Sequence, residues 1–178
     1  MRRAPLPGLV AARRGSSAIE FAILAPALLI LVTGCVGLSQ LIRARTDVQK
    51  AAQTMAQLIA TQTSVSTAEI DDFCQGARDE LSPFPTAGLQ LSVASVTRGA
   101  VSGNAGVDWD DTSCGNGAAI ASPATLAAGV IPAAGDSAIV VQATYVFHNA
   151  LSLVLPSAFS VTTVAFARPR ANTTVPHT

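Results

Sequence analysis

Histidine, aspartate and serine side chains could do chemistry in this sequence, but their spacing does not match known catalytic or metal-binding patterns. His148 and His177 have no acid or cysteine at metal-ligand spacing. Asp108, Asp110 and Asp111 lack the spacing, central glycine and closing glutamate of a calcium loop. No G-x-S-x-G turn and no phosphate-binding glycine loop is present. We therefore expect no enzyme activity, no metal, no cofactor and no small-molecule substrate.

Glu20 is an acidic residue in an unusual position. It follows Arg13, Arg14 and Gly15 and stands where an apolar run begins, in the stretch RRGSSAIEFAILAPALLILV. Charged groups in a membrane segment are costly and usually functional. Glu20 therefore either has a specific role or rests among lipid headgroups as a simple boundary residue.

The apolar run predicts a single transmembrane helix. The chain is 49% hydrophobic and 12% charged, and its mean hydropathy is +0.44. From Phe21 to Leu38 the sole side-chain hydroxyl belongs to Thr33. As a helix this run rises roughly 27 Å, close to the thickness of a bilayer core. We predict a span over about residues 19–41.

The basic residues favour one orientation of this span. Four arginines, at positions 2, 3, 13 and 14, precede the run, with no acid before Glu20. This pattern favours a cytoplasmic N-terminus and places the rest of the chain on the outside. Basic residues at 43, 45 and 50 weaken the argument. The formal net charge of zero gives no indication of nucleic-acid binding.

The three cysteines divide between the span and the outer domain. Cys35 lies in the span, whereas Cys74 and Cys114 lie beyond it. Two cysteines in an oxidising compartment predict one disulfide. Two unpaired thiols remain the alternative.

The N-terminal helix is predicted to continue past the membrane, over residues 16–62 and roughly 70 Å. Apolar residues then recur every three or four positions: Leu41, Ala44, Val48, Ala51, Met55 and Leu58. This stripe is either a core face for the domain that follows or a surface for neighbouring copies. Pro26 lies within the span and predicts a kink there.

Residues 63–178 are predicted to form an α+β domain. A short helix begins at Ser66 or Thr67 and ends before Pro83. Alternating or β-branched patterns predict strands near 89–94, 137–147 and 159–168, with a possible short strand at 107–110 and a turn at 149–157. The stretch 114–135 is rich in glycine, alanine and proline and is predicted to be a loop. Strands that follow helices indicate a small, largely antiparallel sheet.

The N-terminal sequence resembles that of a type IV prepilin. It has a basic leader over residues 1–15, Gly15, four spacer residues, Glu20, Phe21 and about twenty apolar residues. More closely, RRGSSAIEFAILAPALLIL, with Pro26 included, resembles the TadE/TadG-like family of tight-adherence (Flp) pilus assembly proteins. The C-terminal VVQATYVFHNALSLVLPSAFSVTTVAFARPR is also similar to that family.

The resemblance implies that a prepilin peptidase cuts between Gly15 and Ser16 at the cytoplasmic face of a bacterial inner membrane. Glu20 would then be the fifth residue of the mature chain. There it would complement the helix dipole and pair with an N-terminal ammonium, which sets the register between packed helices. Phe21 would be the aromatic residue of the family's Glu-aromatic pair.

The length of the chain and its Glu-Phe pair differ from the major Flp pilins, which are shorter and usually carry Glu-Tyr. The chain is also too short for the von Willebrand-type domain of the larger TadG-type members. The resemblance therefore implies a minor pilin-like subunit, or pseudopilin. Its outer domain would be periplasmic, or extracellular in a pilus. Its partners would be other pilins and the tight-adherence secretion machinery.

A second interpretation depends on Cys35. The sequence LVTGC loosely resembles a bacterial lipobox. Cleavage before Cys35 would give a lipid-anchored periplasmic binding or envelope module. The apolar residues that follow Cys35, through Ile42, and the acid at Glu20 argue against this interpretation.

Overall fold

The computed structural model describes residues 13–148, 158–170 and 173–178, with side chains from Ala18 onward. The predicted turn at 149–157 and most of the basic leader therefore lie outside the described residues. In chain order the elements are α1 (Arg13–Thr61), α2 (Thr67–Asp79), β1 (Leu89–Arg98), β2 (Ala105–Asp111), α3 (Pro123–Ala127), β3 (Ser137–His148) and β4 (Ala158–Ala167). The predicted α+β class is confirmed.

Helix α1 begins earlier than the sequence pattern suggested. It starts at Arg13 rather than Ser16 and ends at Thr61. Gly15 costs only about 1 kcal/mol relative to alanine within a helix, so it does not stop the helix there. Pro26 also lies inside α1 without ending it. A local kink at Pro26 stays a prediction.

The four strands form one antiparallel sheet in the order β2-β1-β3-β4. Val93 of β1 pairs with Val141 of β3, which pairs in turn with Ala165 of β4. These residues point toward the same face, because directly opposed residues of an antiparallel sheet share a face. That face is apolar and faces the helices.

The second half of α1 is the central helix of the domain. Ala44, Val48, Ala51 and Met55 are buried against the sheet, so the apolar stripe is a core face. Leu58 was wrongly included in the stripe, since it is 37% exposed while Ile59 is fully buried. The predicted stripe has an average spacing of 3.5 residues, whereas a straight helix has 3.6 residues per turn. Over several turns the stripe therefore rotates away from the buried face, which leaves its last residue exposed.

Helix α2 begins at a capping box. The backbone N–H of Ser66 donates to the Glu69 carboxylate at 2.8 Å, and the Ser66 hydroxyl accepts from the Glu69 N–H. The Ser66 hydroxyl also donates to the Glu69 carboxylate at 2.9 Å. The bonds that the Ser66 backbone N–H and hydroxyl donate to this carboxylate lower the pKa of Glu69. Ser66 is therefore the N-cap, as one of the two predicted possibilities.

The opposite face of the sheet has a core of its own. Ala94, Val96 and Val140 pack there against residues of the 114–135 stretch, which include Ile120, Ala127 and Ile131. The prediction of a loop was wrong in part, because α3 forms within it. Pro123 occupies the first turn of α3, where its missing N–H has no consequence.

Candidate functional site

The first half of α1 is apolar on all sides and remains uncovered. Phe21 is 67% and Ile23 72% exposed. The segment Ala18–Thr61 contains an 18-residue window with a mean hydropathy of 2.4, of which 6% is buried. By length and composition, one helix near the N-terminus can therefore cross a membrane.

The predicted processing residues lie at the start of this helix. Gly15 and Ser16 are in its helical backbone, and Glu20 and Phe21 follow within the next two turns, both exposed. Ser16 and Glu20 are four residues apart and so lie on one side of the helix. The predicted cleavage position and Glu20 are therefore about one helical turn apart in α1, and cleavage there stays a prediction.

Glu20 is isolated in sequence from other charges on its C-terminal side. No charged residue occurs between Glu20 and Arg43, and Arg43 and Arg45 are both exposed beyond the apolar run. A carboxylate at the edge of such a segment is costly to place in lipid without a positive partner. The position of Glu20 therefore favours pairing with a cation near the helix start.

Cys74 and Cys114 form a disulfide, with their Cα atoms 5.8 Å apart. Both are buried, and the bond joins α2 to the residues that follow β2. Cys35 is a free and exposed cysteine in α1. The predicted disulfide is therefore present in the outer domain.

The C-terminal segment, residues 173–178, is fastened to the domain. The Val65 N–H donates to the Pro176 carbonyl at 2.9 Å, and the Thr178 N–H donates back to the Val65 carbonyl at 2.9 Å. The Trp109 indole N–H donates to the Val175 carbonyl at 2.7 Å. Val175 is fully buried in the main core.

His177 lies in a polar cluster that the sequence did not predict. Its Nε2 is 3.3 Å from the Thr67 hydroxyl and 3.7 Å from the Asp111 carboxylate, and its ring lies 5.2 Å from that of Trp109. The residues are far apart in sequence, and no local pattern links them. Spacing along the chain does not reveal that His177 lies near Asp111, because the fold brings the two residues together.

The geometry of this cluster differs from a catalytic triad. In a triad the histidine uses one ring nitrogen for the hydroxyl and the other for the acid. Here the same nitrogen of His177 faces both, and the Thr67 hydroxyl donates directly to Asp111 at 3.1 Å. The contacts therefore fasten the C-terminal segment to the domain and do not form a proton relay.

Asp111 is the acid of this cluster. Its partial burial raises its pKa, but hydrogen bonds from Ser113 and Thr67 and the nearby charge of His177 outweigh that effect and lower the pKa overall. An acid with a lowered folded pKa stabilises the fold when ionised. Its contribution is complete above the ordinary value of 3.8 and is lost as pH falls through the folded pKa.

Replacing Asp111 with asparagine should therefore destabilise the domain by about 1–2 kcal/mol near neutral pH, since hydrogen bonds to the charged carboxylate are lost. The difference from the wild type should shrink as pH falls below 3.8. Thermal unfolding of the full chain in detergent at several pH values measures this. The exposed neighbour Asp110, changed to asparagine, is the control. A difference that stays constant down to strongly acidic pH would refute the assignment.

The first half of α1 is uncovered and apolar enough to span a membrane, and its second half is buried in the core of an α+β domain. This arrangement is consistent with membrane anchoring. Residues 15–57 match the model of a family described as TadE-like protein. The match begins at Gly15, includes Glu20 and Phe21 and ends within α1, which confirms the resemblance over this helix. No curated protein and no solved structure matches the chain.

Proposed function

We propose that the protein is a minor pilin-like subunit, a pseudopilin, of a tight-adherence type IV pilus. Helix α1 anchors it in a bacterial inner membrane, with the N-terminus cytoplasmic and the domain periplasmic. The family match that begins at Gly15 and runs through the Glu20–Phe21 pair carries this proposal. The exposed apolar half of α1 supplies the anchor that it requires.

Maturation by a prepilin peptidase is the first step of this function. Water adds across the peptide bond between Gly15 and Ser16, which leaves a carboxylate on Gly15 and a free amine on Ser16. The bond lies in helical backbone, so the helix must open before a peptidase can bind it in extended form. A glycine favours this opening, because it has the largest backbone freedom of any residue.

Glu20 gains its role from the new amine. After cleavage it lies about one turn from the amino group of Ser16, at the positive end of the helix dipole. An unpaired carboxylate or ammonium is penalised in lipid, so each favours the other, within one chain or between neighbouring chains. A buried polar pair of this kind fixes the axial register of packed helices, as in coiled coils.

The outer domain then serves as a contact module and not as an enzyme. Its partners on this proposal are other pilins and the tight-adherence secretion machinery, and it takes no cofactor. The contacts of His177, Thr67 and Asp111 support a structural role, since they lack the separate nitrogen contacts of a relay. The disulfide between Cys74 and Cys114 is suited to an oxidising compartment.

Cleavage before Cys35, as in a lipoprotein, has less support. The family match covers both sides of Cys35, and α1 continues through it without a break. Such a cut would also leave Leu38 and Ile42, which are 56% and 58% exposed, at the start of a soluble domain. We therefore retain the pilin-like assignment.

Replacing Glu20 with alanine tests the proposal. We expect normal membrane insertion but at least about tenfold fewer assembled pili, because loss of one member of a buried ion pair costs about 3–5 kcal/mol. Pili sheared from cells and quantified by immunoblot give the measurement. Ser39→Ala is a matched control, since Ser39 bonds only to the carbonyl of Val36 in its own helix among the described residues. Unchanged piliation in the Glu20 variant would remove this role.

A further inference from the structure

A groove runs between α1 and the start of β4. It has a volume of about 450 Å³, and its apolar surface includes Leu38, Leu41 and Ile42 of α1 and Phe159 of β4. Leu38 and Ile42 remain more than half exposed. We refer to it as the α1–β4 groove.

The position of the α1–β4 groove places it at a bilayer surface, given that α1 crosses the membrane. The apolar run ends at Leu38, which is the residue at one end of the groove. From there to Arg45 the helix rises roughly 10 Å. The headgroup region on each side of a bilayer is roughly 5–8 Å thick, so the groove lies within and just above it.

The polar lining of the α1–β4 groove suits a phosphate. Arg45 lines it on the α1 side. Ser160 and Thr162 also border it, but their side chains point to the opposite face of the sheet from Val161, and the Thr162 hydroxyl lies 3.4 Å from that of Thr144. Among the described residues that line the groove, Arg45 is the charged one, so no described carboxylate competes there for its guanidinium. A guanidinium binds phosphate oxygens through paired N–H groups, and its positive charge favours a lipid with a net negative headgroup.

We propose that the α1–β4 groove binds one anionic phospholipid of the bilayer. Its phosphate lies on Arg45, and one acyl chain lies along Leu38 and Ile42 toward the span. The occupant is a lipid because the apolar floor of the groove is continuous with the membrane-spanning part of the same helix. A bound lipid would fix how the outer domain sits on the membrane, since it contacts both α1 and the sheet.

Arg43 provides a matched control within the same helix. It is exposed, like Arg45, and lies two residues closer to the span. It does not appear among the described residues that line the groove. If basic residues were only attracted to an anionic surface in general, loss of Arg43 and loss of Arg45 would reduce lipid binding equally. If the lipid binds specifically in the groove, its retention depends on Arg45 and not on Arg43.

The test uses the full-length protein purified from membranes in mild detergent with phosphatidylglycerol and phosphatidylcholine added in equal amounts. Native mass spectrometry then counts retained lipid molecules. We expect the wild type and Arg43→Ala to retain one phosphatidylglycerol. Arg45→Ala should retain at least about tenfold less, because a charge-assisted bond to phosphate is lost. Circular dichroism verifies that each variant is folded.

Three results would overturn the lipid site. They are equal losses in Arg43→Ala and Arg45→Ala, retention of phosphatidylcholine as readily as phosphatidylglycerol, and a wild type that carries a second protein copy in place of lipid. None of these results bears on cleavage at Gly15. The lipid site and the pilin-like function are therefore tested independently of each other.

Discussion

Replacing Gly15 with leucine should leave the chain uncut between residues 15 and 16 in its native membrane. The side chain added at Gly15 restricts the backbone, which must leave the helical conformation to be cleaved, and it adds bulk beside the carbonyl under attack. We expect the processed fraction to fall from nearly complete to below roughly one tenth, a change of about 1.4 kcal/mol or more in the barrier. Immunoblots of membrane fractions resolve the two lengths of chain.

Gly34 offers the matched control for this substitution. It lies in the same helix, and a Cβ atom built on it meets nothing within 4 Å among the described residues. Gly34→Leu should therefore insert normally and be processed like the wild type. Full processing of the Gly15 variant would show that cleavage occurs elsewhere or does not depend on this glycine.

Removal of the disulfide should produce the largest loss of stability in the outer domain. Cys74 and Cys114 are 40 positions apart, and closing a loop of that length contributes about 3–4 kcal/mol in the chain-entropy description. Both side chains are also buried in the main core. The double variant Cys74→Ala/Cys114→Ala should therefore melt roughly 10 °C or more below the wild type.

Cys35→Ala separates this effect from a general effect of losing a cysteine. Cys35 is exposed in α1 and forms no disulfide, so its loss should leave the melting temperature unchanged. Reduction of the wild type should reproduce the shift of the double variant. If the double variant and the wild type had the same melting temperature, the disulfide would not stabilise the domain.

The elements with a strong local pattern were predictable from sequence. The spacing of three and four from Ala44 to Met55 indicated a helix with one apolar face, and the alternation of apolar and polar residues from Val141 to Tyr145 indicated a strand. The cap at Ser66 also depends on a residue only three positions away. In each case the interactions that decide the structure lie within a few residues of one another.

The second core of the sheet was not predictable in the same way. Ile120 and Ile131 stand alone among small residues in the 114–135 stretch, so no periodicity marks them. They are buried because the stretch folds back over Ala94 and Val140. A short helix such as α3 forms within that packing and has little stability of its own.

The candidate functional residues also differ in whether the residues that define them are close together in the sequence. The Gly15–Glu20 motif is contiguous, so its resemblance to a prepilin processing site is visible in the sequence, and the cleavage that the resemblance implies stays a prediction. The α1–β4 groove and the contact of His177 with Thr67 each join residues more than one hundred positions apart. Such contacts depend on the complete tertiary fold, and a single sequence contains no local pattern that predicts them.

Helix α1 runs without a break from the candidate span into the core of the folded domain. Its first half carries the predicted processing motif and the candidate span, and its second half is buried in the domain through residues such as Val48 and Met55. Any axial register that Glu20 sets between neighbouring helices is therefore transmitted to the domain through a continuous helix. On the proposed function, packing of α1 in the membrane and the arrangement of the folded domains are linked in this way.

The mass of the intact protein extracted from its native membrane tests the central claim most directly. We predict a chain that begins at Ser16, with residues 1–15 removed and with or without one added methyl group on the new amine. A chain that still carries Met1, or one that begins at Cys35 with attached acyl groups, would contradict it.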